Sequence, residues 1–323
     1  MTLIDKKKEI DKLIAKSSSV FIMGHKYLDL DAIGSAIGMY EYIKTFNKRP
    51  TIVINDRKLE PGVKKIIDKM KDLYSINKSK KLKLKINEKS LLIIVDTNKE
   101  ILLQDSTMLS LFKNVIVIDH HDLKESSISK GMIIVDEEAS STCEMLSDFL
   151  EYSKIKINED VATILLSGIV LDTNNYVLKT TSNTFRASYI LTQKGADPSY
   201  VQYLLKQNLK DYIARQKVIT NVKIIKKIAI SCAKSTLVYR REDLAKIADT
   251  LLLFNNIEAS FVIGNLDKKN VGVSARSIGN IDVGEILEQF NGGGDNHEAG
   301  SRIENTSIKK VENELKELLR NIQ

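Results

Sequence analysis

Two short apolar runs that stop on an acid constrain this chain most. Leu91-Leu-Ile-Ile-Val95 is followed by Asp96, and Val115-Ile-Val-Ile118 is followed by Asp119-His120-His121. Runs of this length cannot cross a bilayer and have the length of buried strands. Similar segments at Ser19–Gly24, Thr51–Asn55 and Met132–Asp136 read as further strands. Helical patterns cover Ala32–Phe46, Ser141–Tyr152, Glu159–Leu171 and Ser182–Gln193. Strands alternating with helices predict an α/β fold with a parallel sheet flanked by helices. In such a sheet the ligand crevice lies at the carboxyl ends of the strands, where the acids and histidines fall.

The alternation runs to a break at Gly195-Ala196-Asp197-Pro198. This predicts a first domain over 1–195 and a helical linker over 196–222. A second, smaller α/β domain is expected over 223–323, with strands at Ile228–Ala233, Ala259–Gly264 and Val271–Ala275 and a Gly292-Gly293-Gly294 segment near its end. A chain of 323 residues, 43% hydrophobic and 28% charged, can bury two such cores. No membrane segment or secretory leader is read from the apolar runs or the N-terminus, Met-Thr-Leu-Ile-Asp-Lys-Lys-Lys. The two cysteines, Cys143 and Cys232, offer no disulfide framework, so the expected compartment is cytoplasmic. A net charge of +7 suits an anionic partner such as a nucleotide. The lysines are nevertheless spread along the chain, and Lys78 to Lys85 has no interleaved aromatics. That stretch reads as a solvated loop or edge, and no long nucleic acid is expected as partner.

Of four histidines, His25, His120 and His121 sit directly after strands and beside aspartates; the fourth is His297. Asp29 and Asp31 follow His25, Asp96 closes one strand, and Asp172 ends an apolar helix containing Gly168. Singly, each has an ordinary account: Asp31 as a cap of a helix starting at Ala32, Asp96 with Thr97-Asn98 as a turn, the histidines as loop residues. Together they point to divalent cations. Carboxylate oxygen suits Mg²⁺ and Mn²⁺, and added imidazole tilts the choice toward Mn²⁺. Two neighbouring ions need a shared carboxylate, for which Asp96 is the best candidate. Such a pair can activate a bridging water for an in-line phosphoryl displacement.

The segments Gly24-His-Lys-Tyr-Leu-Asp-Leu-Asp-Ala-Ile-Gly34, Val95-Asp96-Thr97-Asn98, Asp119-His120-His121 and Gly168 to Asp172-Thr173 resemble, in order, the four motifs of DHH-family phosphoesterases. Val273-Ser274-Ala275-Arg276-Ser277 and the triple glycine resemble the DHH-associated substrate domain. The first motif is similar to that of GdpP-type cyclic di-AMP phosphodiesterases. Such relatives also carry N-terminal membrane helices, a PAS-type sensor and a degenerate GGDEF-type domain, so the resemblance covers their catalytic region.

The resemblance implies two Mn²⁺, or Mg²⁺ or another divalent ion. One would be held by His25, Asp29 and Asp96, the other by Asp31, Asp96, His120 and Asp172. His121 would be catalytic, just behind the metals. Ser274, Arg276, Gly292, Gly293, Gly294, Asp295 and His297 would bind substrate. The implied reaction is hydrolysis of cyclic di-AMP to pApA, with nanoRNase or pAp phosphatase activity on short linear oligonucleotides as the alternative. A homodimer is left open. Three departures stand out. Leu28 replaces the usual Pro and is expected to loosen its loop. Asp122 stands where these diesterases often carry Arg. Asp295 takes the place of the glycine-loop His, with His297 two residues on.

Overall fold

The structure is a computed structural model that describes residues 2–56, 58–294 and 296–321, with Asn321 described by its backbone alone. The chain divides into two compact units, Met1–Lys206 and Gln207–Gln323.

Among the described residues the first unit holds six strands: β1 (Val20–Met23), β2 (Thr51–Val53), β3 (Ile76–Asn77), β4 (Leu91–Val95), β5 (Asn114–Asp119) and β6 (Met132–Val135). They form one sheet in the order β3-β2-β1-β4-β5-β6, with every pair parallel. Its helices are α1 (Lys7–Lys16), α2 (Leu30–Lys44), α3 (Pro61–Met70), α4 (Ser79–Leu82), α5 (Thr142–Tyr152), α6 (Glu159–Asp172), α7 (Ser182–Gln193) and α8 (Pro198–Leu204). The five side chains of β4 are fully buried between two apolar clusters, one on each face of the sheet. Each such burial stabilises by about 1.5–3 kcal/mol, which is why this apolar run becomes the centre of the sheet. From β1 the strand order runs one way to β2 and the other way to β4. A crevice opens between the carboxyl ends of strands at such a switch point, and His25 follows β1 while Asp96 follows β4.

The core strands and helices lie where the alternation predicts them. Among the α-helices and strands of this unit, α1, α3, α4 and β3 were not expected. The Lys78 to Lys85 stretch is a correction, because it folds into α4 and a turn of 3₁₀ helix over Lys83–Lys85 rather than a plain loop. Leu82 is buried against the sheet while its lysine neighbours stay outside, so one apolar residue orders a basic segment. The 196–222 segment is divided between the units: α8 packs on α3 and α6, whereas α9 (Leu209–Ile219) packs on α10 (Arg241–Leu251) and β8 (Ile228–Cys232) of the second unit.

The second unit has a sheet in the order β11-β12-β10-β9-β8-β7. Its strands are β7 (Lys223–Ile225), β8 (Ile228–Cys232), β9 (Ala259–Asn265), β10 (Asn270–Ser277), β11 (Gly293–Gly294) and β12 (Glu298–Glu304). Among the described strands, β8 and β9 pair in parallel and the other neighbours antiparallel. The helices α10 (Arg241–Leu251), α11 (Val283–Glu288) and α12 (Ile308–Asn321) complete it around its own two apolar clusters. No helix among the described residues is long and apolar enough to cross a membrane.

Candidate metal centre

Asp29 caps α2, its Oδ1 accepting from the Ala32 amide at 2.9 Å. The cap is therefore Asp29 and not Asp31, which lies inside the first turn of α2 with no exposure. Asp31 instead spends its oxygens on the start of α5: Oδ2 accepts from the Thr142 amide and Oδ1 from the Cys143 amide, each at 2.8 Å. That close approach of α2, α5 and α6 requires Gly168. A Cβ there would stand 2.5 Å from Cys143 Sγ and 2.8 Å from Asp31 Oδ1.

Asp96 is 2% exposed and holds φ at +60°, a left-handed conformation that a short polar side chain tolerates and most residues do not. The kink at the end of β4 turns its carboxylate into the cluster. Asp96 Oδ2 is 3.3 Å from His25 Nε2, and Oδ1 is 3.5 Å from His120 Nε2 and 3.3 Å from the Thr142 hydroxyl, which donates to it. His25 Nε2 also lies 3.5 Å from Asp29, and His120 Nε2 lies 3.2 Å from Asp172. His25 Nδ1 is 2.6 Å from the Lys26 carbonyl, which can only accept, so Nδ1 carries the proton and Nε2 faces the carboxylates.

Ligand-capable atoms within 4.8 Å of one another form three overlapping groups: His25, Asp29 and Asp96; Asp31, Asp96, His120 and Asp172; and Asp96, His120 and His121. The structure thus brings together all six side chains expected as ligands, with Asp96 common to the groups. The donor set fits divalent cations. Both ring nitrogens of His120 are buried without a hydrogen-bond partner, as is Asp119 Oδ2. Burial, with the Asp96 and Asp172 carboxylates beside it, pushes Asp31 well above the usual carboxylate range. Burial likewise pushes Asp172 up to about 6, despite the His120 imidazole. Burial acts the same way on Asp96, yet the His120 and His25 imidazoles hold it well below. Carboxylates crowded this way compete for positive charge, and cations of higher charge would satisfy all of them.

His121 belongs only to the third group, with Asp96 and His120. Its Nδ1–H donates to Asp119 at 2.8 Å while Nδ1 lies 4.0 Å from Asp96, and the side chain is half exposed. Asp119 also accepts from the His120 amide at 2.9 Å, so one fully buried acid orients both histidines. Sequence reasoning passed over Asp119, Thr142 and Asn98 as supports. Asn98 was readable only as a turn, yet its amide donates to the carbonyls of His121 and Asp122 at 3.0 and 3.3 Å and its oxygen accepts from Ser127 at 2.8 Å. The loop at Leu28 is not loosened as expected. Leu28 is buried, and its amide, which a proline would lack, donates to Asp56 at 2.9 Å.

In the second unit, Ser274, Arg276 and Gly293 line a pocket of about 420 Å³ together with Arg241, Glu242 and Glu298. The Arg276 guanidinium is braced from within: Nε donates to Asp249 at 2.7 Å, Nη1 to the Ala275 carbonyl at 3.0 Å, and Nη2 lies 3.5 Å from Glu298. Gly292 backs onto β12, where a Cβ would stand 2.7 Å from that of Ser301, and Gly294 pairs with Ala299. His297 is exposed, with Nδ1 3.2 Å from the Ser277 carbonyl. Asp295 lies outside the described residues.

Residues 19–169 match the DHH family N-terminal domain, and residues 221–323 match the DHHA1 domain. The chain belongs to the DHH family. It is 37% identical over 317 residues to a cyclic-di-AMP phosphodiesterase GdpP from Geobacillus thermodenitrificans, a match covering 95% of this chain and 48% of the relative. The chain therefore spans about half the length of that relative. A bifunctional oligoribonuclease and PAP phosphatase NrnA from Mycoplasma genitalium is 26% identical over 307 residues, covering 92% of this chain and 90% of the relative. Among solved structures, an exopolyphosphatase-related protein from Bacteroides fragilis shares the fold, with a TM-score of 0.76, 21% identity and 98% of both chains covered.

Proposed function

We propose that this chain is a metal-dependent phosphodiesterase that hydrolyses cyclic di-AMP to the linear dinucleotide pApA. The observation that carries the reading is the pair of ligand groups joined at Asp96. Likeness to the Geobacillus enzyme supplies the substrate class. His25, Asp29 and Asp96 would hold one cation, and Asp31, Asp96, His120 and Asp172 the other, with Mn²⁺ favoured by the mixed oxygen and imidazole donors. Two such ions, when bound, supply Lewis-acid polarisation of the phosphoryl group and acidify the attacking water.

The remaining work falls to the protein. The α5 amides hold Asp31, and the Thr142 hydroxyl steadies Asp96, so both carboxylates are aimed before substrate arrives. With Nδ1–H on Asp119, His121 presents Nε2 as the atom that meets substrate and exchanges a proton with it. We assign nucleotide recognition to the pocket of Ser274 and Arg276 with the Gly292–Gly294 segment, where backbone amides can approach a phosphate closely. Asp295 and His297 are carried in that assignment as the residues flanking the segment.

A second reading, a nanoRNase or pAp phosphatase on short linear substrates, is favoured by the end-to-end match with the Mycoplasma protein. Purified protein with Mn²⁺, given cyclic di-AMP, pApA and pAp in parallel, decides by its products. Release of pApA from the cyclic substrate supports the first reading. Faster turnover of pApA or pAp than of cyclic di-AMP would replace it with the second.

A further inference from the structure

We infer that Gln104 is a positioning residue that latches the His25–Asp29 loop and thereby sets one of the two candidate cation sites; this rests on reading His25 and Asp29 as ligands. Gln104 is 5% exposed and lies outside the two ligand groups. Its side chain uses its full hydrogen-bonding capacity of two donors and two acceptors. Nε2 donates to the His25 carbonyl at 2.6 Å and to Asp56 Oδ2 at 2.8 Å. Oε1 accepts from the Asn55 and Asp56 amides at 2.7 and 3.2 Å. Asp56 Oδ2 in turn accepts from the Leu28 amide at 2.9 Å. One buried amide thus grips the loop at His25 directly and at Leu28 through Asp56.

The loop needs such a grip. Tyr27, between the two held residues, has φ of +60° and is 69% exposed, so its own side chain cannot pin that conformation by burial. A non-glycine residue there persists only when its surroundings determine it. Backbone bonds add to the hold: Lys26 donates to the Leu102 carbonyl at 2.6 Å and Gln104 to the Gly24 carbonyl at 3.2 Å. The side-chain part is what a single substitution can remove. Asp31, His120 and Asp172, the members of the other group that it does not share, are held from α5, the end of β5 and α6 instead, so the latch acts chiefly on the group of His25 and Asp29.

The test is Gln104→Leu in the full chain, with Gln104→Met as a second variant that keeps the unbranched shape, and Mn²⁺ titrated into metal-free protein by calorimetry. The expected result is an affinity loss of about 10- to 100-fold at one class of site, as for lost support behind a ligand, with the other class unchanged. Asp56→Ala should act in the same direction, and the double variant should be no worse than either single one. Asp56→Asn, which keeps an acceptor, should retain most of the affinity. Equal affinities in variant and wild type, or equal weakening at both sites with a lower melting temperature, would overturn the latch. Wild type that binds no Mn²⁺ would overturn the metal reading instead. Amide exchange of the metal-free protein then decides the latch alone: the Leu28 amide should exchange faster in Gln104→Leu, and unchanged protection overturns the proposal.

Discussion

At the scale of single residues, the cluster turns on Asp96. Its left-handed backbone and its place in every ligand group make it the residue for which no neighbour can substitute. Asp96→Asn is the informative change, since asparagine tolerates the same conformation while the shared negative charge is lost. Expected is loss of both cations by elemental analysis and turnover reduced to background; retention of two ions per chain would remove Asp96 as the bridge. The identity of the cluster was readable in sequence because acids and histidines after apolar strands have few structural reasons to gather. The residues that aim them were not. Gln104, Asp56, Asn98 and Thr142 are ordinary polar residues in sequence, and only the bonds they make beside the loops give them a role.

At the scale of elements, the close packing of α2, α5 and α6 places Asp31, and Gly168 permits it. Gly168→Ala should lower stability by about 1–3 kcal/mol through overpacking. It should also weaken cation binding, because the added methyl meets Asp31 directly; a melt and a Mn²⁺ titration that both match wild type would show that α6 yields. The contact of α5 with α7 carries a pH dependence. Burial pushes Asp148 up to about 6 against the pull of Arg186, and its Oδ1 is buried without a partner. A folded value above the ordinary 3.8 means that the native state holds the proton more tightly. Its contribution to stability is therefore present at low pH and lost as pH rises through about 6, by at most about 3 kcal/mol. Asp148→Asn should flatten that part of the stability curve in chemical melts between about pH 4 and about pH 7. An unaltered slope would assign the effect to other groups.

At the scale of the whole molecule, two units with separate cores carry separate chemistry in the proposed function. Arg276→Ala tests that division. It should cut catalytic efficiency on cyclic di-AMP by about a hundredfold while a generic diester such as bis-(p-nitrophenyl) phosphate, which needs only the metal centre, is hydrolysed nearly as before. Because Asp249 and Glu298 would lose their cation, a lower melting temperature is also expected. Equal losses on both substrates would make Arg276 a purely structural brace. The sequence by itself determined the parallel α/β core and the six clustered acids and histidines, whereas the division between the units falls at Lys206 and Gln207, after the break read at Pro198. The core and the cluster rest on local signals: apolar run length and polar groups at strand ends. Only the tertiary structure decided that Asp29 and not Asp31 caps α2, that the lysine-rich stretch is ordered by Leu82, and that Leu28 is pinned rather than loose. Those outcomes depend on partners far along the chain, at Thr142, the sheet face and Asp56, and no local pattern encodes which distant group a buried polar atom will meet.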